Sequence, residues 1–170
     1  EMEKIEAALD IANTELRSLI TQFRAPIDRS GIISAVEKLI SQFRQESDIE
    51  AVFQNQWSEV KLAMYFENHI VRIIQEALQN VRRHSQAHMV RVLLARGPNG
   101  GFRVLIEDDG VGFTPGTDNS ENHFGLIVMA DRANRIAGTL KVESELREGT
   151  QVLLEFPAPK SLAGPEMPEK

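Results

Sequence analysis

The stretch that most constrains this chain is Ile70 to Arg83, IVRIIQEALQNVRR, taken together with the run EDDGVGF from Glu107 to Phe113. On a helix turning about 100° per residue, Ile70, Ile73, Ile74, Ala77, Leu78 and Val81 share one face, and Glu76, Asn80 and Arg83 fall within about 60° of one another beside it. One helix thus offers a core face and a polar edge. A carboxylate, an amide oxygen and a cation one turn apart suit a hydrated divalent metal and a phosphate. An ordinary amphipathic helix with a solvated side has the same periodicity, so the edge takes its meaning from the rest of the chain.

At 170 residues the chain is long enough for one domain with a real core and a helical appendage. A net charge of −6, with cations interleaved among acids, leaves no basic stripe and excludes general nucleic-acid binding. The absence of cysteine excludes disulfides and thiol chemistry and fits a reduced, cytoplasmic setting. No apolar run reaches the roughly 18 to 20 residues that span a bilayer, so any membrane association belongs to regions outside this chain. The chain starts within a helical pattern and without an initiator Met, and is expected to be a fragment of something longer.

From Glu1 to Arg24, Ile5, Leu9, Ala12, Leu16, Leu19 and Phe23 step by four and three alternately, a heptad seam that Pro26 ends. At about two and a half heptads it fits a bundle helix as well as a zipper. A second helix follows on Ile32, Val36, Leu39, Ile40 and Phe43, with Ser30 or Asp28 expected as its cap. Asp48 to Gln54 alternates as a strand, and Trp57 and Tyr65 lead into the long helix. A hairpin then turns at Gly97-Pro98-Asn99-Gly100-Gly101 into Phe102 to Glu107. Thr114 to Asn122 lacks apolar periodicity and predicts a long mobile loop of the lid kind. Gly125 is expected to open a helix that Gly138 closes, followed by a second hairpin of Thr139 to Glu145 and Gln151 to Phe156. Pro157 onward predicts a disordered tail. The fold class expected is α+β, a two-layer sandwich with helices on one face of a mixed sheet, preceded by an N-terminal helix. Its divisions are 1–25, 26–157 and 158–170.

Chemistry gathers at three breaks. In Asp108-Asp109-Gly110-Val111-Gly112 two glycines follow a carboxylate at a strand end, where missing β-carbons admit a ligand ring and Asp108 can accept from an exocyclic amine. A tight Asp-Gly turn is the plainer alternative. Asn122-His123-Phe124-Gly125-Leu126 is expected to end the lid at a helix N-terminus, which attracts phosphate. Gly149-Thr150 enters the last strand and can turn a hydroxyl toward a nucleotide, or be merely a hairpin.

Together these residues carry a resemblance. Glu76-Ala77-Leu78-Gln79-Asn80 with Arg83-His84 resembles the N box of histidine-kinase ATP-binding domains. Asp108 to Gly112 resembles their G1 box, His123 to Leu126 a G2 box, and Gly149-Thr150 the late GT element. The pattern is that of the GHKL ATPases, which include gyrase, the heat-shock chaperone and MutL. QEALQNVRRHSQA, FGLIVMADRANRIAG and LRSLITQFR resemble the nitrate/nitrite-sensor branch of the two-component sensor histidine kinases, over roughly Leu9 to Pro157.

The resemblance implies ATP and Mg²⁺ as cofactors. Asp108 would bind the adenine amine, Gly110 and Gly112 would shape the adenine pocket, and Thr150 would support it. Asn80 would ligate the metal, Glu76 would hold a metal-bound water or manage protons, and Arg83 and His84 would lie near the phosphates. Gly125 and Leu126 would belong to the lid hinge. The γ-phosphoryl would pass to a histidine and then to a response-regulator aspartate, with the full-length protein a homodimer through its helical hairpin.

This chain departs from the family pattern in its histidines. A phosphoacceptor of this branch is followed by an acidic residue, whereas His69, His84, His88 and His123 precede Ile70, Ser85, Met89 and Phe124. The acceptor is expected upstream, and the first helix to be the second half of the hairpin. Arg83 stands where lysine is common, and the G2 stretch has one clear glycine. Two alternatives compete: another GHKL enzyme such as an anti-sigma-factor serine kinase, and a non-catalytic nucleotide-binding or dimerisation module.

Overall fold

The computed structural model of the chain describes residues 31–57, 60–114 and 120–158, with residues 120–124 described by their backbone alone. The heptad seam of the first 24 residues, the boundary at residue 25, most of the predicted lid, the side chain of His123 and the tail from residue 159 lie outside the described residues.

Helix α1, Ile32–Glu46, buries Ile32, Val36, Ile40 and Phe43, the positions its periodicity marks. Its start differs from expectation. The N-cap is Gly31, at φ 86°, which brings no side chain to the helix end; Ser30 and Asp28, the expected caps, lie outside the described residues. A residue of the next helix takes that role, because the Ile32 N–H donates to Glu67 Oε1 at 3.1 Å. Burying Glu67 raises its pKa, an effect larger than the opposing one of this hydrogen bond.

Strand β1, Glu50–Asn55, leads through buried Trp57 to helix α2, Met64–Asn80. Ile70, Ile73, Ile74, Ala77 and Leu78 are all buried on the predicted face. At Val81–Ser85 the helix widens into a π-helical turn, ended by Gln86 in the left-handed region. A π turn abandons the 100° step, so the projection that set Arg83 beside Asn80 does not hold there. Strands β2, Met89–Arg96, and β3, Phe102–Asp108, form the first hairpin.

Helix α3 runs Ser120–Arg135, so Gly125 lies inside it and does not open it. Gly138 is not its left-handed closing residue either; Ala137 holds that conformation, at φ 52°. A β-carbon on Gly138 would come within 2.7 Å of the Glu155 carbonyl oxygen, so glycine there admits the neighbouring strand. Strands β4, Thr139–Glu145, and β5, Gly149–Phe156, complete a mixed sheet of order β1-β2-β3-β5-β4. The β1–β2 pair is parallel, with α2 as its crossover, and the other pairs are antiparallel.

Alternation assigns the two faces. Val92, Ile106, Val152 and Val142 stand in one row, and Leu94, Val104, Leu154 and Leu140 in the next, both joining the helices in a single core. The opposite face carries Arg91 paired with Glu107, and Arg103 with Glu155. The sandwich is thus the predicted two-layer α+β architecture. It places the C-terminal end of α2 beside the C-terminal end of β3.

Candidate nucleotide site

A pocket opens at that junction. Its walls are Ala77, Asn80, Val81, His84 and Ser85 from α2 and the π turn, Ile106, Asp108, Gly112 and Phe113 from β3 and its exit loop, Leu126 from α3, and Thr150 and Val152 from β5. Of the residues singled out in the sequence, Asn80, His84, Asp108, Gly112, Leu126 and Thr150 therefore converge on one space.

Asp108 and Asp109 are neighbours with opposite environments. Asp108 is half-buried, and desolvation is the largest influence on it, raising its pKa; N–H groups of Gly110 and Thr150 partly oppose that. Asp109 is exposed, and its Oδ1 accepts the N–H groups of His88 and Met89, both at 2.8 Å, with the Met89 bond foremost in lowering its pKa. Asp109 pins the start of β2. Asp108 is left with acceptor capacity toward the pocket.

The exit loop is packed too closely for side chains. A β-carbon on Gly110 would run into the Ser85 carbonyl oxygen, and one on Gly112, at φ 60°, into that of Glu145. Gly110 therefore lies behind the pocket, against the π turn. The loop is tied down by Val111 N–H to Ser85 O and Arg147 N–H to Val111 O, both 2.7 Å. Ser85 is itself buried, donating through Oγ to Val81 O at 2.7 Å.

Glu76 and Gly125 meet beside this space. A β-carbon on Gly125 would lie 2.6 Å from Glu76 Oε1 and 3.5 Å from Asn80 Nδ2. Glycine here makes room in α3 for the Glu76 carboxylate; it is not a hinge at a helix start. Arg83 is exposed, outside the pocket lining and, among the described residues, without an ion pair. Among the described residues no three His, Asp or Glu side chains cluster as a metal site. Glu76 and Asn80 supply two oxygen donors, which fits Mg²⁺, an ion that takes its remaining ligands from phosphates and water.

Sequence reasoning missed Ser85, Phe113 and Ser144. Phe113 has a local signal, an apolar residue directly after Gly112. The two serines have none, since what ties them to the site is the exit loop: the Val111 N–H donates to Ser85 O and the Phe113 N–H to Ser144 Oγ.

The model of the family described as histidine kinase-, DNA gyrase B- and HSP90-like ATPases matches residues 66–160, more than half of the chain. The chain belongs to that family. Over 152 residues it is 29% identical to a Haemophilus influenzae protein named sensor protein NarQ homolog, covering 89% of this chain and 27% of that protein. It is 32% identical over 147 residues to sensor histidine kinase LiaS of Bacillus subtilis, covering 86% of this chain and 40% of LiaS. The chain thus spans well under half the length of these relatives. Among solved structures, the histidine kinase domain of a blue-light activated kinase from Erythrobacter litoralis superposes with a TM-score of 0.64 at 19% identity, covering 75% of this chain and 61% of that one. The ATP-binding domain of PrrB from Mycobacterium tuberculosis gives 0.61 at 19% identity, covering 76% and 96%. These likenesses agree with the mixed sheet and its helical layer. No helix among the described residues is long and apolar enough to cross a membrane.

Proposed function

We propose that this chain is the ATP- and Mg²⁺-binding catalytic portion of a sensor histidine kinase of the nitrate/nitrite-sensor kind. The observation that carries this reading is the placement of half-buried Asp108 and of Asn80 on the walls of one pocket, which Thr150 and Leu126 also line. A carboxylate acceptor set in apolar walls suits the amine edge of adenine. Asn80 and Glu76, one turn apart on α2, would hold Mg²⁺ against the phosphates. When bound, that ion would neutralise phosphate charge.

The chain's own residues position the nucleotide. Gly110 and Gly112 let the exit loop pack against the π turn and β4, which holds that wall of the pocket in place, His84 and Leu126 line the pocket, and Arg83 would approach the phosphates from outside that lining. In the transfer, the bond between the γ-phosphorus and the bridging oxygen breaks, ADP leaves, and a phosphorus–nitrogen bond forms on a histidine supplied by a dimerisation hairpin. Positioning and charge neutralisation supply most of the acceleration in such reactions. The phosphoryl group then passes to an aspartate of a response regulator. The setting is cytoplasmic, with the homodimer formed in the longer protein.

Calorimetric titration with ATP tests the reading: binding that strengthens with Mg²⁺ and weakens in Asn80→Ala is expected, and no ATP binding overturns it. With γ-labelled ATP, the chain alone should remain unlabelled and a hairpin bearing an acceptor histidine, added in trans, should become labelled. Label appearing as phosphoserine on a partner would favour the anti-sigma kinase alternative.

A further inference from the structure

The helix that carries Asn80 and the strand that carries Asp108 are joined behind the pocket. Only Gln86, Ala87 and His88 separate the π turn from β2, and β2 pairs with β3 as far as Val90 and Asp108. Beyond that last pair the exit loop stays on the connection, residue by residue. Asp109 Oδ1 accepts the N–H groups of His88 and Met89, both at 2.8 Å, and the Asp109 N–H donates to Met89 O at 3.3 Å. Gly110 packs against the Ser85 carbonyl, and the Val111 N–H donates to Ser85 O at 2.7 Å. Two of these contacts run through a side chain, that of Asp109. An ionised carboxylate only accepts and a backbone N–H only donates, so the direction of both bonds is fixed. The carboxylate is exposed and lies outside the pocket lining.

We infer that Asp109 is a positioning residue, which holds the loop that meets the base and the end of α2 that meets the metal at the spacing one nucleotide spans. The inference rests on the reading that the pocket takes ATP with Mg²⁺. In that reading the base meets Asp108 on the sheet and the phosphates meet Asn80 on α2, so a single ligand bridges two elements. Binding both ends at full strength requires the two elements to stand at the ligand's own length before it arrives. A displacement of about 1 Å is enough to cost up to about a hundredfold. A ligand that touches one end alone is indifferent to that spacing. Asp109 touches neither end. Without its carboxylate the N–H groups of His88 and Met89, both exposed residues, turn to water, and the connection is held to the exit loop by backbone bonds alone.

The test compares ATP with Mg²⁺ against adenosine, which reaches the base end alone, in wild type, Asp109→Ala, Asp109→Asn and Asp109→Glu. Calorimetric titration reads the ratio of the two dissociation constants. In Asp109→Ala adenosine affinity should stay within about twofold while ATP affinity falls about tenfold. Asp109→Asn loses the same charge but keeps an oxygen acceptor, and should hold the wild-type ratio. Asp109→Glu keeps the charge but moves the acceptor by one methylene, and should shift the ratio in the direction of alanine. Lost charge near the phosphates cannot mimic this pattern, since alanine and asparagine lose it equally. Melting temperatures without ligand report folding, and where the alanine variant does not fold the glutamate variant carries the same expectation. A merely structural aspartate would weaken both ligands alike. An unchanged ratio in Asp109→Ala and Asp109→Glu therefore overturns the inference, as does an asparagine variant as impaired as alanine. Either result alongside ATP binding by wild type overturns this inference alone, whereas wild type that binds no ATP overturns the function proposed above with it.

Discussion

The two glycine-bearing breaks, Asp108 to Gly112 and Asn122 to Leu126, look alike in sequence and differ in kind. In the first, glycine answers to backbone: Gly112 sits at positive φ with the Glu145 carbonyl where a β-carbon would go. In the second, glycine is inside α3 and answers only to the end of the Glu76 side chain, 2.6 Å from its would-be β-carbon. A backbone obstacle moves only with its strand, whereas a side chain can swing aside. The same residue type is therefore indispensable in one place and adjustable in the other.

The largest effect should come from Gly112→Ala. The left-handed backbone and the collision with β4 together should cost on the order of 3 kcal/mol or more, seen in chemical denaturation as a large drop in midpoint with nucleotide binding abolished. Retention of wild-type stability would mean that the loop is free to move away from β4, and the comparison would break.

Asp108→Asn should separate binding from stability. ATP affinity should fall at least tenfold, about the worth of one charge-assisted hydrogen bond. Stability without ligand should hold or rise at neutral pH, because the substitution removes a half-buried charge whose desolvation raises the pKa. The pH dependence follows in sign. A raised carboxyl pKa means that the folded chain binds the proton more tightly than the unfolded one, so its stabilising contribution is present at low pH and is lost as pH rises through the folded pKa. Wild type should accordingly lose stability relative to Asp108→Asn over that rise. Nucleotide binding, which needs the ionised acceptor, should strengthen over the same rise. Parallel melting curves at several pH values, with and without ATP, check both trends.

The smallest effect on stability belongs to Gly125→Ala. Replacing glycine within a helix gains about 1 kcal/mol, and displacing the Glu76 carboxylate offsets part of that. Denaturation should therefore shift little or upward, while the Mg²⁺-dependent part of ATP affinity falls a few-fold. Equal loss of stability at Gly112 and Gly125 would erase the distinction drawn between them.

The periodic elements were legible in advance. Ile70, Ile73, Ile74, Ala77 and Leu78 are buried because a helix repeats its face every few residues whatever surrounds it, and the two hairpins follow from alternation and turn residues. Asp108, Asn80 and Thr150 were also identifiable, since their motifs are local. The start of α3 was not, because Ser120 to Phe124 carry no apolar spacing that marks a helix and Gly125 reads as a break. Glu67 capping α1 was equally hidden, since the hydrogen bond joins residues 35 positions apart.

By itself the sequence determined the order of elements, the core faces and the types of group available to a nucleotide, because periodicity and turn chemistry act between near neighbours. Tertiary structure alone decided which of two adjacent aspartates is desolvated, why Gly112 must lack a side chain, and that the Phe113 N–H finds the Ser144 hydroxyl. Each of those depends on an atom brought in from another strand or helix. Desolvation, close contact and hydrogen-bond direction are properties of spatial neighbours, which the chain acquires only on folding.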